Sequence, residues 1–208
     1  MTFYVSGNMI KNLIFDFGDV LINLDKLAVP QGLAAYGARA VDGRLESLAR
    51  RYEKGQVSTE GFLGEACEIL QETEPERLIT LWNQTIRDFP DERLVFLESL
   101  KRASTHRMFL LSNTNELHIQ HVEAQMGPAA YNRFKACFEG FYLSHEMGLR
   151  KPEPEIFAHV LRRHGLQAGE TLFIDDTLEH ILGASSLGIH TWHLQVGRET
   201  ILELPKRI

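Results

Sequence analysis

Cysteine is scarce in this chain, with only Cys67 and Cys137 among 208 residues. The two lie far apart and share no metal-spaced motif. A disulfide framework is therefore excluded, and a reduced, cytoplasmic protein is expected. Positive charge is also short: 22 Lys and Arg stand against 28 Asp and Glu, a formal net charge of −6. That leaves no basic footprint for nucleic acid. No apolar run reaches the length that crosses a bilayer, so no membrane partner is expected. Internal repeats and low-complexity tracts are missing too. Residues 1–8 have neither a basic n-region nor an apolar h-region, so they are not expected to be a signal peptide. They are expected to form a disordered leader, with Met9 as a second candidate start. What is present is ordinary: 44% hydrophobic residues, in a length that holds one core domain plus a modest insertion.

Short apolar runs carry the fold. Asn12 to Phe17, Arg107 to Leu111, Leu172 to Ile174 and Ile189 to Leu194 read as buried parallel strands. Helical periodicity separates them. Asp91 is expected to cap a helix that turns Leu94, Leu97 and Leu100 inward. The Pro154 helix carries Ile156, Phe157, Val160 and Leu161 on one face and ends near Gly165. A helix from about Leu178 stops at Gly188. Strands alternating with helices predict an α/β fold with a parallel, doubly wound sheet. Residues 24–87 show helical periodicity and no convincing strand. One start there is clear, with Ser58 as cap and Val57 and Phe62 as a hydrophobic staple.

Four polar signals stand in order, three of them closing apolar runs. Asp16 follows Leu13-Ile14-Phe15, and Ser112 follows Met108 to Leu111. Lys151 opens Lys151-Pro152-Glu153-Pro154-Glu155-Ile156-Phe157, and Asp175-Asp176 follow Leu172-Phe173-Ile174. Ligands of open α/β sheets sit beyond the carboxyl ends of the strands, so these signals should converge. Carboxylates, a hydroxyl and a lysine together point to metal-assisted chemistry on an anion.

In that order, the set resembles the haloacid dehalogenase (HAD) superfamily, from about Lys11 to Trp192. Phe15-Asp16-Phe17-Gly18-Asp19-Val20-Leu21 and Leu111-Ser112-Asn113-Thr114-Asn115 look like a sugar-phosphate phosphatase branch, similar to alpha-D-glucose-1-phosphate phosphatase. The resemblance implies a Rossmann-like core over 9–23 and 88–208, with a small helical cap inserted at 24–87. It implies Asp16 as a nucleophile that forms an aspartyl-phosphate. It further implies Mg²⁺ held by Asp16, the Gly18 carbonyl and Asp176, with Asp175 beside it as a ligand through water or as a hydrogen-bond acceptor. Ser112, Asn113 and Lys151 would hold the phosphoryl group. The substrate would be a small phosphorylated metabolite, and the protein a monomer or weak homodimer. Trp82 and Asn83, near the end of the cap, are candidates for substrate contact, although Trp82 also suits the cap's own core.

Two positions depart from the common family pattern. Gly18 stands where most family phosphatases place a second aspartate, their acid and base; Asp19, one residue on, suits a tight turn. His180 stands where many members carry a carboxylate, and either a solvated helix position or a place near the metal fits it. Arg150 is expected to face solvent. His118 and His121, and His190 and His193, lack the further ligands of a zinc site. Two other readings stay open on the same residues. One is a metal-free 2-haloacid dehalogenase using Asp16, against which the Asp175-Asp176 pair speaks. The other is a catalytically silent binding module.

Overall fold

Four buried residues in a row, Asn12–Phe15, make β1, the middle strand of the sheet. The computed structural model of the chain describes residues 9–34, 36–37 and 43–208; the expected leader, residues 1–8, lies outside them. Among the described residues the sheet is completed by β2 (Arg107–Ser112), β3 (Gly140–Leu143), β4 (Thr171–Asp175) and β5 (His190–His193). Their order is β3-β2-β1-β4-β5, and every pairing is parallel. The chain runs outward from β1 to β3 and then crosses to β4. Phe15 lies level with Leu110 on one side and Ile174 on the other. The carboxyl ends of β1, β2 and β4 therefore share one edge, beside the reversal in winding.

Continuous apolar runs suit strands that are covered on both faces. Leu13, Phe15, Leu110 and Ile174 point to one core cluster, which also takes Leu94 and Leu97 of α5 (Asp91–Ala103) and Phe134 of α7 (Pro128–Lys135). Ile14, Phe109, Leu111 and Phe173 point to the other. There α9 (Pro154–His164) supplies Ile156, Phe157 and Val160, and α10 (Leu178–Ser185) supplies Ile181 and Ala184.

Between β1 and α5 the chain forms α1 (Ala28–Leu33), α2 (Arg44–Glu53), α3 (Thr59–Leu70) and α4 (Pro75–Asn83). Ser58 caps α3 by accepting from the Gly61 N–H at 3.1 Å. Leu45, Leu48, Tyr52, Phe62, Leu70 and Leu78 form a cluster of their own, joined by Leu117 of α6 (Glu116–Met126). The chain enters and leaves this helical insertion through two paired segments, with Asp25 N–H on Thr85 O at 2.8 Å and Arg87 N–H on Asn23 O at 2.9 Å.

Three expectations need correction. Asp91 does not cap α5: Pro90 holds that position without a side-chain bond, and Asp91 is the first helical residue, where its charge favours the helix N-terminus. Strand β3 went unread, because four residues beginning with glycine, three of them half-buried, carry no periodic signal. Arg150 does not face solvent. It pairs with Glu53 of α2 at 2.9 Å, and Lys54 pairs with Glu153 at 2.5 Å, so two ion pairs tie the insertion to the segment around Lys151.

Candidate active site

Asp16 follows β1 directly, and its N–H bonds to Ile174 O at 2.9 Å, so its carboxylate emerges beside the end of β4. Asp175 is the last residue of β4, and Ser112 the last of β2. Lys151, from the loop before α9, reaches into this edge with no exposed side-chain surface. Its ammonium donates at 2.7 Å to Asp16 Oδ1 and at 2.7 Å to Asp175 Oδ2. A buried ammonium is costly unless paired, and here two carboxylates pair it.

Asn113 sets the position of Lys151. Its Oδ1 accepts from the Lys151 N–H at 2.8 Å, and its Nδ2 donates to the Lys151 carbonyl at 2.9 Å. The carboxamide is thereby committed to bracing the lysine backbone. Ser112 Oγ lies 3.5 Å from Asn113 O, at the outer limit of a hydrogen bond, which leaves the buried hydroxyl able to turn to a ligand. His180 is not a solvated helix residue. Its Nδ1 lies 3.0 Å from Asp175 Oδ2, and its Nε2 lies 3.4 Å from Asn113 Nδ2. A neutral ring that donates from Nδ1 and accepts at Nε2 satisfies both contacts. Burial lowers its pKa, against the pull of Asp175.

The carboxylates differ in character. Burial and the nearby charge of Asp175 push Asp16 up to about 7, against the opposing pull of Lys151. Asp175 is held well below the usual carboxylate range: burial opposes this, but Lys151 and His180 outweigh it. Lys151 is raised, because Asp16 and Asp175 together outweigh its burial. Asp16, Asp175 and Asp176 each offer an oxygen, and these atoms lie within 4.8 Å of one another. Such a hard-oxygen set suits Mg²⁺.

Asp19 is a turn residue, with φ of 55°. Its Oδ1 accepts from the Leu24 N–H at 3.0 Å, and its Oδ2 takes the Lys26 ammonium at 2.9 Å. The same ammonium lies 2.5 Å from Asp176 Oδ2. Sequence reasoning missed Lys26 altogether, since a lysine ten residues past Asp16, in a linker, belongs to no motif. Trp82 sits at the end of α4, its ring 4.9 Å from Phe62 and 5.7 Å from His118. It shares the insertion's cluster, and its indole nitrogen and Asn83 Oδ1 are buried without a hydrogen-bond partner.

Known proteins resemble this chain in sequence and in fold. A D-ribitol-5-phosphate phosphatase of Bacteroides thetaiotaomicron is 28% identical over 204 residues, covering 94% of this chain and 97% of its own. A HAD family enzyme of the same organism, solved with magnesium and inorganic phosphate, superposes with a TM-score of 0.79 at 33% identity; the match covers 91% of this chain and 96% of that one. A predicted HAD-like hydrolase of Porphyromonas gingivalis gives a TM-score of 0.83 at 28% identity, over 96% and 98% of the two chains. The family model for haloacid dehalogenase-like hydrolases matches residues 10–188. The parallel sheet, the ordered site residues and this match lead to one conclusion: the chain belongs to the haloacid dehalogenase-like hydrolase family.

Proposed function

We propose that this enzyme is a Mg²⁺-dependent phosphatase that hydrolyses the phosphomonoester of a small metabolite, a sugar phosphate, in the branch similar to alpha-D-glucose-1-phosphate phosphatase. The observation that carries the reading is the Lys151 ammonium, fully buried and 2.7 Å from both Asp16 and Asp175. It is a fixed positive charge at the point where phosphate oxygens must meet a carboxylate nucleophile. The ribitol-phosphate specificity of one relative and the magnesium and phosphate bound by another support the same chemistry.

Asp16, Asp176 and the Gly18 carbonyl would hold Mg²⁺, which when bound offsets the repulsion between carboxylate and phosphate and stabilises charge on the phosphoryl oxygens. Asp175 acts as an acceptor that orients Lys151, His180 and the Thr177 N–H, the last at 2.8 Å. A carboxylate oxygen of Asp16 forms a bond to phosphorus as the phosphorus–leaving oxygen bond breaks, giving an aspartyl-phosphate. Lys151, the Ser112 hydroxyl and the Asn113 backbone N–H hold the phosphoryl oxygens. Water then attacks phosphorus, releasing inorganic phosphate and regenerating the Asp16 carboxylate. Residues 24–87 act as the cap over the site, excluding water, with Trp82 and Asn83 as contacts for the leaving group. The enzyme works in the cytoplasm as a monomer or weak homodimer. Among the described residues, no helix is long and apolar enough to cross a membrane.

The test is a phosphate-release screen over metabolite phosphates with Mg²⁺, run on native protein and Asp16→Asn. Turnover that disappears in the variant and with EDTA, and returns with Mg²⁺, supports the reading. Phosphate release that survives thorough chelation overturns the Mg²⁺ dependence, and halide release from 2-haloacids in the presence of EDTA favours the metal-free dehalogenase chemistry instead.

A further inference from the structure

Two lysines serve the same group of carboxylates, and their surroundings differ. Lys151 has no exposed side-chain surface and lies between Asp16 and Asp175. Lys26 is 55% exposed, and only its ammonium reaches in, to Asp176 at 2.5 Å and Asp19 at 2.9 Å. Those two carboxylates are 7% and 9% exposed. The acidic partners are thus fixed, and the basic one is a long side chain on the linker that enters the helical insertion. A pair of this kind exchanges readily, because the ammonium recovers most of its hydration when it leaves.

We propose that Lys26 is an internal counter-ion that competes with the divalent cation for Asp176, setting how tightly the enzyme binds its metal. The inference rests on the Mg²⁺ site described above. Without metal, Lys26 neutralises the Asp176 carboxylate. When the metal takes Asp176, Lys26 keeps Asp19 as its anchor. It stays at the rim of the site and does not swing into solvent. Lys26 is therefore a positioning residue that acts through Asp176. The Gly18 gap does not account for it, since Asp19 alone would hold the turn through its bond to the Leu24 N–H.

Isothermal titration of Mg²⁺ into metal-free protein tests this without any turnover. Lys26→Met should bind Mg²⁺ more tightly than native protein, by about 1.5- to fivefold, the range expected of one half-exposed ion pair. The gain should shrink at high ionic strength. Lys26→Arg, which keeps the charge, should bind like native protein. Arg87→Met removes a nearby linker cation that is paired with Asp25 and makes no contact with the cluster, and it should leave the affinity unchanged. Mg²⁺ should also raise the melting temperature more in Lys26→Met than in native protein. Equal or weaker binding by Lys26→Met overturns the inference, as does an equal gain in Arg87→Met, which would indicate only a general field. Asp176→Ala separates the two levels of argument. If it abolishes binding while Lys26→Met matches native protein, the metal site stands and the role of Lys26 falls. If neither native protein nor Lys26→Met binds Mg²⁺, both fall.

Discussion

The terminal methyl of Leu24 lies 2.7 Å from the point where a β-carbon on Gly18 would sit. The room that an acid two residues after Asp16 would need is filled by the first residue of the linker to the helical insertion. Because the obstacle is the far end of a flexible side chain, Gly18→Asp should fold at a cost of about 1 kcal/mol, the low end of overpacking. Adding Leu24→Ala should relieve that strain, so the two changes couple favourably in a double-mutant cycle read by urea unfolding. In catalysis, a restored acid should help simple alkyl phosphates more than aryl or anomeric sugar phosphates, whose leaving groups need a proton least. A native plot of log kcat/KM against leaving-group pKa should fall steeply, and a flat plot would mean that another group already supplies the proton. Asp19→Asn serves as the control, and loss of activity confined to poor leaving groups would make Asp19 that group.

Lys151 is the position least tolerant of change. Lys151→Met strands two buried carboxylates, and breaking a buried pair in this way costs roughly 3–5 kcal/mol. In the proposed mechanism turnover should also fall, on the order of 100-fold or more, with the loss of a fixed charge. Asp16→Asn should abolish turnover while its unfolding midpoint stays close to native. A Lys151→Met protein of native stability would show that the two carboxylates are not charged together in the folded state.

The helical insertion meets the core at a glycine. Gly55 has φ of 62°, and a β-carbon there would lie 2.0 Å from the backbone oxygen of His145, in the short helix α8 (Ser144–Met147). Backbone cannot yield as a side chain can. Gly55→Ala should therefore cost more than about 1 kcal/mol through φ alone and should also lift the insertion from the core. Hydrogen exchange in α2 and α3 should quicken, and KM should rise more than kcat falls. Unchanged exchange there would mean that the contact does not hold the insertion in place.

His118 makes stability depend on pH. Burial lowers its pKa from 6.5 to about 4, and its ring stays neutral between Trp82 O at 3.1 Å and Asn115 Nδ2 at 3.2 Å. The folded pKa lies below the unfolded value, so between the two the unfolded chain binds the extra proton. The contribution is complete above pH 6.5 and is lost as pH falls toward 4. Urea unfolding at pH 5 and pH 7.5 should show native protein losing about 1–2 kcal/mol more than His118→Gln. Parallel losses in the two proteins would assign the acid sensitivity elsewhere.

The sequence alone determined the sheet's buried strands and the residues at their carboxyl ends. Leu13 to Phe15, Met108 to Leu111 and Leu172 to Ile174 are apolar without interruption, because a parallel strand is covered on both faces. Asp16, Ser112 and Asp175 close those runs, so their meeting at one edge follows once the strands are parallel. Lys151 stands in the same ordered set, but its place in the sequence gives no distance to Asp16. Tertiary structure decided the rest, for reasons no local pattern carries. Strand β3 exists because β2 offers it an open edge. His180 is tied to the site because α10 starts just beyond Asp175, and Asn113 is committed to Lys151 across 38 residues. Arg150 finds Glu53 only after the insertion has folded back. Lys26 and Leu24 reach Asp176 and Gly18 because the linker bends at Asp19. Covalent order specifies which groups end each strand, whereas the pairing of distant charges and the filling of a gap depend on how separate segments pack.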